Sequence, residues 1–191
     1  MQRSRNWLGV GILCLVVVGF TFPAAAQDVS KIEVSGGYQF ITGKSTSDNE
    51  WTKFPKGWYA DVVGNVNEML GIVGQVGGNY KTLREHGASF DEKIHEFMGG
   101  VRVSSRKNEK AVPFGQFLVG DVNLRESAGN QSETRDRFGV QVGGGVNVMP
   151  NKKVGARVGA DYMRIVGKNG EEGINVFRLA VGVVFPVGGT R

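Results

Sequence analysis

Seven charged residues sit where the surrounding chain alternates apolar with small side chains: Glu33, Asp61, Glu96, Arg102, Arg157, Asp161 and Arg178. Four carboxylates and three guanidiniums so placed suit one chemistry above others. A guanidinium forks onto a carboxylate with two parallel hydrogen bonds, so these groups can pair in an enclosed space. Catalytic alternatives are thin. His86 and His95 are the two histidines, and Ser89 and Ser104 are not far from them in sequence. A histidine base beside a serine hydroxyl activates a nucleophile only when the two are hydrogen bonded, and nothing in this spacing enforces that. The glycine runs Gly77-Gly78 and Gly143-Gly144-Gly145 lack the strand-turn-helix setting and the lysine of a phosphate loop. No His, Cys, Asp or Glu group has metal-ligand spacing. The reading is a non-enzyme without a cofactor, and the seven charges form a structural network.

What must position these charges is a set of eight strands. Residues 138–148 show the pattern most cleanly. Phe138, Val140, Val142, Gly144, Val146 and Val148 share one face, and Gly139, Gln141, Gly143, Gly145 and Asn147 share the other. Side chains on a strand alternate between faces with period two. Comparable segments run over about 31–42, 57–67, 70–80, 94–104, 113–124, 154–164 and 174–185, close to the roughly 9–11 residues that a tilted strand needs to cross a bilayer. Connections after the second, fourth and sixth strands are short. Those over 43–56, 81–93, 125–137 and 165–173 are longer and polar. The expected fold is all-β: a closed eight-stranded antiparallel up-and-down transmembrane β-barrel. In the fifth strand Phe114, Leu118 and Val122 compete with Phe117 and Val119 for the outward side, and Gln116 and Asp121 complicate either choice.

Alternation alone also fits a half-buried soluble sheet. The lysines after residue 26 (31, 44, 53, 56, 81, 93, 107, 110, 152, 153 and 168) all fall in connections or at strand ends. Tyr38, Phe40, Trp58, Tyr80, Phe97, Phe138, Tyr162 and Phe177 gather near the long-loop ends of their strands and mostly face outward. Such rings favour a membrane interface. Glycine, 30 residues in all, relieves crowding inside a narrow barrel. An eight-stranded barrel is just wide enough to be filled by side chains, so the charged face is expected to plug the lumen. The seventh loop is centred near 168–170, so antiparallel partners should sum to about 339. That sets Asp161 opposite Arg178 with Cβ atoms about 4.5–5.5 Å apart.

The first 26 residues read as a signal peptide: a basic start, the apolar stretch Trp7 to Phe22, and a small-residue cleavage site after Ala26. The barrel domain is then 27–191. Cys14 lies inside the apolar stretch after Leu13, so lipidation there is not expected, and the exported chain contains no cysteine. Removing Arg3 and Arg5 from the 23 basic residues leaves 21 against 18 acidic, a net charge of +3. That excess does not argue for nucleic acid.

Three segments carry a family resemblance: Glu33-Val-Ser-Gly-Gly-Tyr-Gln-Phe40, Val158-Gly-Ala-Asp-Tyr162, and Phe177-Arg-Leu-Ala-Val-Gly-Val-Val-Phe185. With them the chain resembles the small eight-stranded outer-membrane β-barrels, the group holding the OmpA transmembrane domain and the OmpX-like proteins. Members commonly end on the final aromatic, whereas here Pro186 to Arg191 follow Phe185. The resemblance implies residence in the bacterial outer membrane, contact with its lipid and lipopolysaccharide, insertion by the barrel assembly machinery, and a monomer. It implies no shared catalytic residues, and the peptidoglycan-binding role of the larger relatives is not expected to carry over. The expected role is envelope-structural, or adhesion and binding of an external ligand through the long loops. Two other readings stay open: a lipid A-modifying hydrolase or acyltransferase using His95, and a soluble periplasmic lipocalin-like carrier, which would need a large apolar interior.

Overall fold

Three asparagines shape the short turns, and through them the whole topology. Asn67 Oδ1 accepts hydrogen bonds from the backbone N–H of Met69 and Leu70 at 2.8 and 2.7 Å. Asn108 Oδ1 accepts from Lys110 N at 2.9 Å, and Asn151 Oδ1 from Lys153 N and Val154 N at 2.9 Å each. An asparagine side chain that mimics a backbone turn reverses the chain in few residues. The computed structural model describes residues 30–45, 51–85, 88–108, 110–128, 131–167 and 172–188.

The strands are β1 (Ile32–Ser45), β2 (Trp51–Phe54), β3 (Lys56–Asn65), β4 (Leu70–Glu85), β5 (Ala88–Ser104), β6 (Ala111–Ala128), β7 (Gln131–Val148), β8 (Gly155–Ile165) and β9 (Ile174–Val187). β2 and β3 are one barrel strand broken at Pro55. Both pair with β1 on the same side, but the register slips by one residue between Tyr38↔Trp58 and Ile41↔Phe54. Proline has no N–H to give the ladder, so a one-residue bulge forms around it. Every neighbouring pair is antiparallel, and β1 meets β9 from Ile32↔Val187 to Ser45↔Ile174. The sheet is thereby a closed eight-stranded barrel.

The outer wall is apolar: Val62, Ile72, Phe97, Val101, Phe117, Val142, Val158, Leu179 and Val183 are all exposed. So continuous an apolar surface does not suit water. It argues against the soluble carrier and fits a wall covered by lipid. The aromatics Tyr38, Trp58, Phe97, Phe138, Tyr162 and Phe177 face outward. In the fifth strand of the barrel, β6, Phe114, Gln116, Leu118 and Val122 turn inward while Phe117 and Val119 face out.

Two expectations need correcting. The segments 81–93 and 125–137 are largely not loops, and 43–56 is one only in part, since Gly43 and Lys44 pair with Thr52 and Trp51. β4 and β5 stay paired up to Glu85↔Ala88, and β6 and β7 up to Ala128↔Gln131. The length needed to cross a bilayer sets a minimum for a strand and no maximum. Beyond the membrane a polar hairpin ladder continues in water. Second, the inward face is not polar throughout. Ile41, Phe54, Ile94, Met98, Val122, Met163, Ile165 and Val176 form a buried apolar cluster toward the long-loop end.

Glycine governs how closely β5 and β6 approach. A Cβ on Gly120 would lie 2.0 Å from the carbonyl oxygen of Phe97, and one on Gly100 would lie 2.1 Å from that of Phe117. At Gly74 a Cβ meets nothing within 4 Å. Gly120→Ala should therefore destabilise the barrel by about 1–3 kcal/mol, the usual cost of overpacking. Gly74→Ala should leave the urea midpoint in detergent micelles unchanged. Equal midpoints for the two variants would show that backbone contact at Gly120 is not limiting.

Candidate functional site

The barrel interior holds all seven predicted charges. Glu33, Asp61, Glu96, Arg102, Arg157, Asp161 and Arg178 are buried, the most open being Glu33 at 8% exposure. β8 and β9 set Asp161 directly opposite Arg178, whose Nε and Nη2 donate to Asp161 Oδ2 at 2.9 and 2.8 Å. Arg178 also reaches across the lumen. Nη1 donates to Gln39 Oε1 at 3.0 Å and lies 3.4 Å from Glu96 Oε1, and Nη2 donates to Gln75 Oε1 at 3.0 Å. One guanidinium thus ties β9 to β1, β4, β5 and β8.

A second tier lies toward the short turns. Arg157 Nη1 donates to Asp61 Oδ2 at 2.6 Å and to Ser35 Oγ at 2.6 Å, while its Nε donates to Asn147. Arg102 Nη2 donates to the same Asp61 Oδ2 at 3.2 Å and to Gln116 Oε1 at 2.7 Å. Gln116 Nε2 donates to Asp161 Oδ1 at 2.8 Å, which joins the tiers. Phe114 lies between two cations, with the guanidinium carbons of Arg102 and Arg157 4.4 and 5.1 Å from its ring centroid. Facing the ring quadrupole lowers the cost of removing those charges from water. At the turn end Glu33 meets Arg106 and accepts from Asn65 Nδ2 at 3.1 Å. Space for this comes from glycine. A Cβ on Gly77 would stand 2.4 Å from Glu96 Oε1, and one on Gly143 would stand 2.3 Å from Asp161 Oδ1.

Several members of the network were not singled out by the sequence. Gln39, Gln75, Gln116 and Gln141 are all buried inward, yet a single glutamine in a strand reads the same at a rim or in a lumen. Arg106 follows the end of β5, where a turn residue would be expected to point into water.

Above the plug lies a vestibule of about 220 Å³, lined by Ile41, Phe54, Ile94, Leu124, Ile165, Ile174 and Val176 among others. Lys81 stands near its rim, 3.8 Å from Glu92 Oε2 and 5.7 Å from the centroid of the Phe54 ring. Its walls are mostly apolar and can seat a small apolar group, with Glu92, Lys93 and Arg125 also among the lining residues. The serine–histidine pairing does not form there. His95 faces outward, with Nε2 3.4 Å from Tyr80 Oη. Ser104 is buried on the opposite face, nine residues along the same strand, or ~30 Å at the usual rise per residue. Ser89 is six residues the other way, ~20 Å distant. His86 and Ala26 lie outside the described residues. Among the described residues no group of three or more His, Cys, Asp or Glu could hold a metal ion.

Arg178→Ala should destabilise the barrel by about 3–5 kcal/mol, because it strands buried carboxylates. The pair Arg178→Ala with Asp161→Ala should cost less than the two single changes summed. Denaturant unfolding of the four proteins in lipid vesicles completes the cycle. Strictly additive losses would mean that the two side chains do not support each other.

The family model described as the outer membrane protein beta-barrel domain matches residues 12–185. Among curated proteins none matches the sequence significantly. Of solved structures, Neisserial surface protein A superposes with a TM-score of 0.67 at 12% identity, covering 83% of this chain and 98% of that one. The attachment invasion locus protein Ail of Yersinia pestis gives 0.57 at 20% identity, covering 82% and 99%. OprG of Pseudomonas aeruginosa gives 0.57 at 10% identity, covering 84% and 97%. At these identities the likeness is one of fold. Together with the family match it makes this chain a member of the outer membrane protein β-barrel domain family, a barrel of the bacterial outer membrane.

Proposed function

We propose that this protein is a non-enzymatic binding scaffold that seals its own lumen and presents a projecting β-sheet to the exterior. The observation that carries the reading is the asymmetric height of the wall. Ladder pairing between β7 and β8 begins only at Gly139↔Ile165, although β7 starts at Gln131. On the other flank β3 pairs with β4 no higher than Lys56↔Tyr80, although β4 runs on to Glu85. Four strands therefore stand above the rim as a sheet with two lateral edges. An exposed edge can add a strand from a partner. The β7 edge, Gln131-Ser-Glu-Thr-Arg-Asp-Arg137, is rich in charge, which restrains indiscriminate pairing. Ail, similar in fold, is named as an attachment protein, and that supports an adhesive role for this sheet.

The sealed lumen makes passage of solute a poor alternative. Planar-bilayer recordings should show no large, steady conductance. Such a conductance would refute the seal. Export is expected through the leader, with cleavage after Ala26 and an N-terminus at Gln27 in protein extracted from outer membranes. The barrel assembly machinery would insert it.

The direct test of the binding role removes the projecting sheet and leaves the barrel. Shortening 82–91 and 126–133 to tight turns should preserve heat-modifiable migration on gels, a sign of a folded barrel. It should also abolish surface attachment by cells carrying the protein. Full attachment by the shortened form would assign the role to the wall or vestibule instead.

A further inference from the structure

Around the long-loop end of the outer wall, register sets an uncommon row of side chains beside one another. Lys56 of β3 is opposite Tyr80 of β4, Tyr80 is opposite Lys93 of β5, and Lys93 is opposite Arg125 of β6. Lys56, Lys93 and Arg125 share strand face with the outward residues Trp58, Phe97 and Phe117 and are themselves exposed. Like charges directly opposed on one face repel and destabilise a sheet. Yet none of the three has a salt bridge within the structure among the described residues, whereas Lys81, on the inner face, has Glu92. Among the acids whose side chains are described, Asp136 stands diagonally from Arg125, one row toward the membrane, and it accepts a hydrogen bond from Asn123 at 2.6 Å.

That lower row is aromatic on its other half. Trp58 Nε1 donates to Tyr80 Oη at 3.2 Å, and the Tyr80 and His95 rings meet edge to face at 5.8 Å. Both Trp58 and Tyr80 lean over Gly78, where a Cβ would come within 3.0 Å of each. Below this follow Phe97 and Val101, part of the apolar band. The cations thus stand just above interfacial rings, at the depth where lipid headgroups begin.

We propose that Lys56, Lys93 and Arg125 form a docking site for the phosphorylated headgroup of an outer-leaflet lipid. A phosphate between Lys93 and Arg125 cancels their repulsion through charge-assisted hydrogen bonds. The lipid's acyl chains then lie along the wall beneath Trp58 and Phe97. A soluble anion gains the first contact and lacks the second, which is why the site favours a lipid.

The test compares wild type with the double variant Lys93→Gln, Arg125→Gln, reading the urea midpoint in vesicles. A control, Lys31→Gln with Lys153→Gln, makes the same charge change at the short-turn end. In phosphatidylcholine alone the double variant should be as stable as wild type or more so, since the repulsion is gone. Adding a minor fraction of a bis-phosphorylated glycolipid should raise the midpoint of wild type and of the control. The double variant should lose most of that rise. High salt should erase the difference, as screening at 1 M acts within about 3 Å. An equal rise in all three proteins would overturn the proposal, as would a double variant already weaker in phosphatidylcholine. A comparable rise with inorganic pyrophosphate alone would overturn the lipid assignment.

Discussion

A backbone in hydrocarbon cannot leave its N–H and C=O groups unpaired, and this one requirement shapes everything else in the molecule. It forces β1 onto β9, since an open edge in lipid costs several kcal/mol per unsatisfied group. Closure at eight strands then fixes a narrow cross-section. The narrow bore decides which residues can face inward: large polar side chains where they can meet, and glycine where they cross. Gly77 beside Glu96 and Gly143 beside Asp161 are consequences of that geometry. The same bore leaves too little room for bulk water to solvate four carboxylates, so each must find its cation within the wall.

The pairing differs from a set of separate salt bridges. Asp61 serves both Arg102 and Arg157, and Arg178 serves residues of four other strands. Shared partners make the plug a single unit, in which loss of one member unbalances several. Neutral amides and the Phe114 ring fill the gaps between charges and spare the network an excess of either sign. Buried ion pairs in general contribute little net stability compared with apolar packing. Their value here is specificity: few alternative registers of the wall would satisfy so many polar groups at once.

The period-two pattern made strand number, order and inward charges legible in the sequence, because register is set once the lipid face is apolar. The pairing of Asp161 with Arg178 followed from loop position together with the outward facing of Tyr162 and Phe177. What the pattern did not reveal shares one cause. A rule that equates apolar with outward fails wherever the inside is apolar too, which is why Leu118 and Val122 on β6 left that strand ambiguous and the vestibule unseen. Bilayer thickness likewise says nothing about sheet that continues into water, so the upper halves of β4 to β7 read as loops. The one-residue slip at Pro55 was hidden for another reason: the inward phase moves from Phe54 to Gly57 and Tyr59 across it, but four residues of β2 are too few to show a period of their own.

Arg178 also carries information about the order in which the chain assembles. Its contact with Asp161 spans 17 residues, but its contact with Gln39 spans 139. Closing the longer loop costs about 2 kcal/mol more in chain entropy, at about 0.6 kcal/mol per doubling of length. The hairpin of β8 and β9 therefore forms early, and the seam between β1 and β9 is the late event. Until that seam closes, the guanidinium of Arg178 lacks Gln39 and the plug lacks one of its walls. Half-formed barrels are thus left with unmatched charge facing inward, which disfavours stable partial sheets.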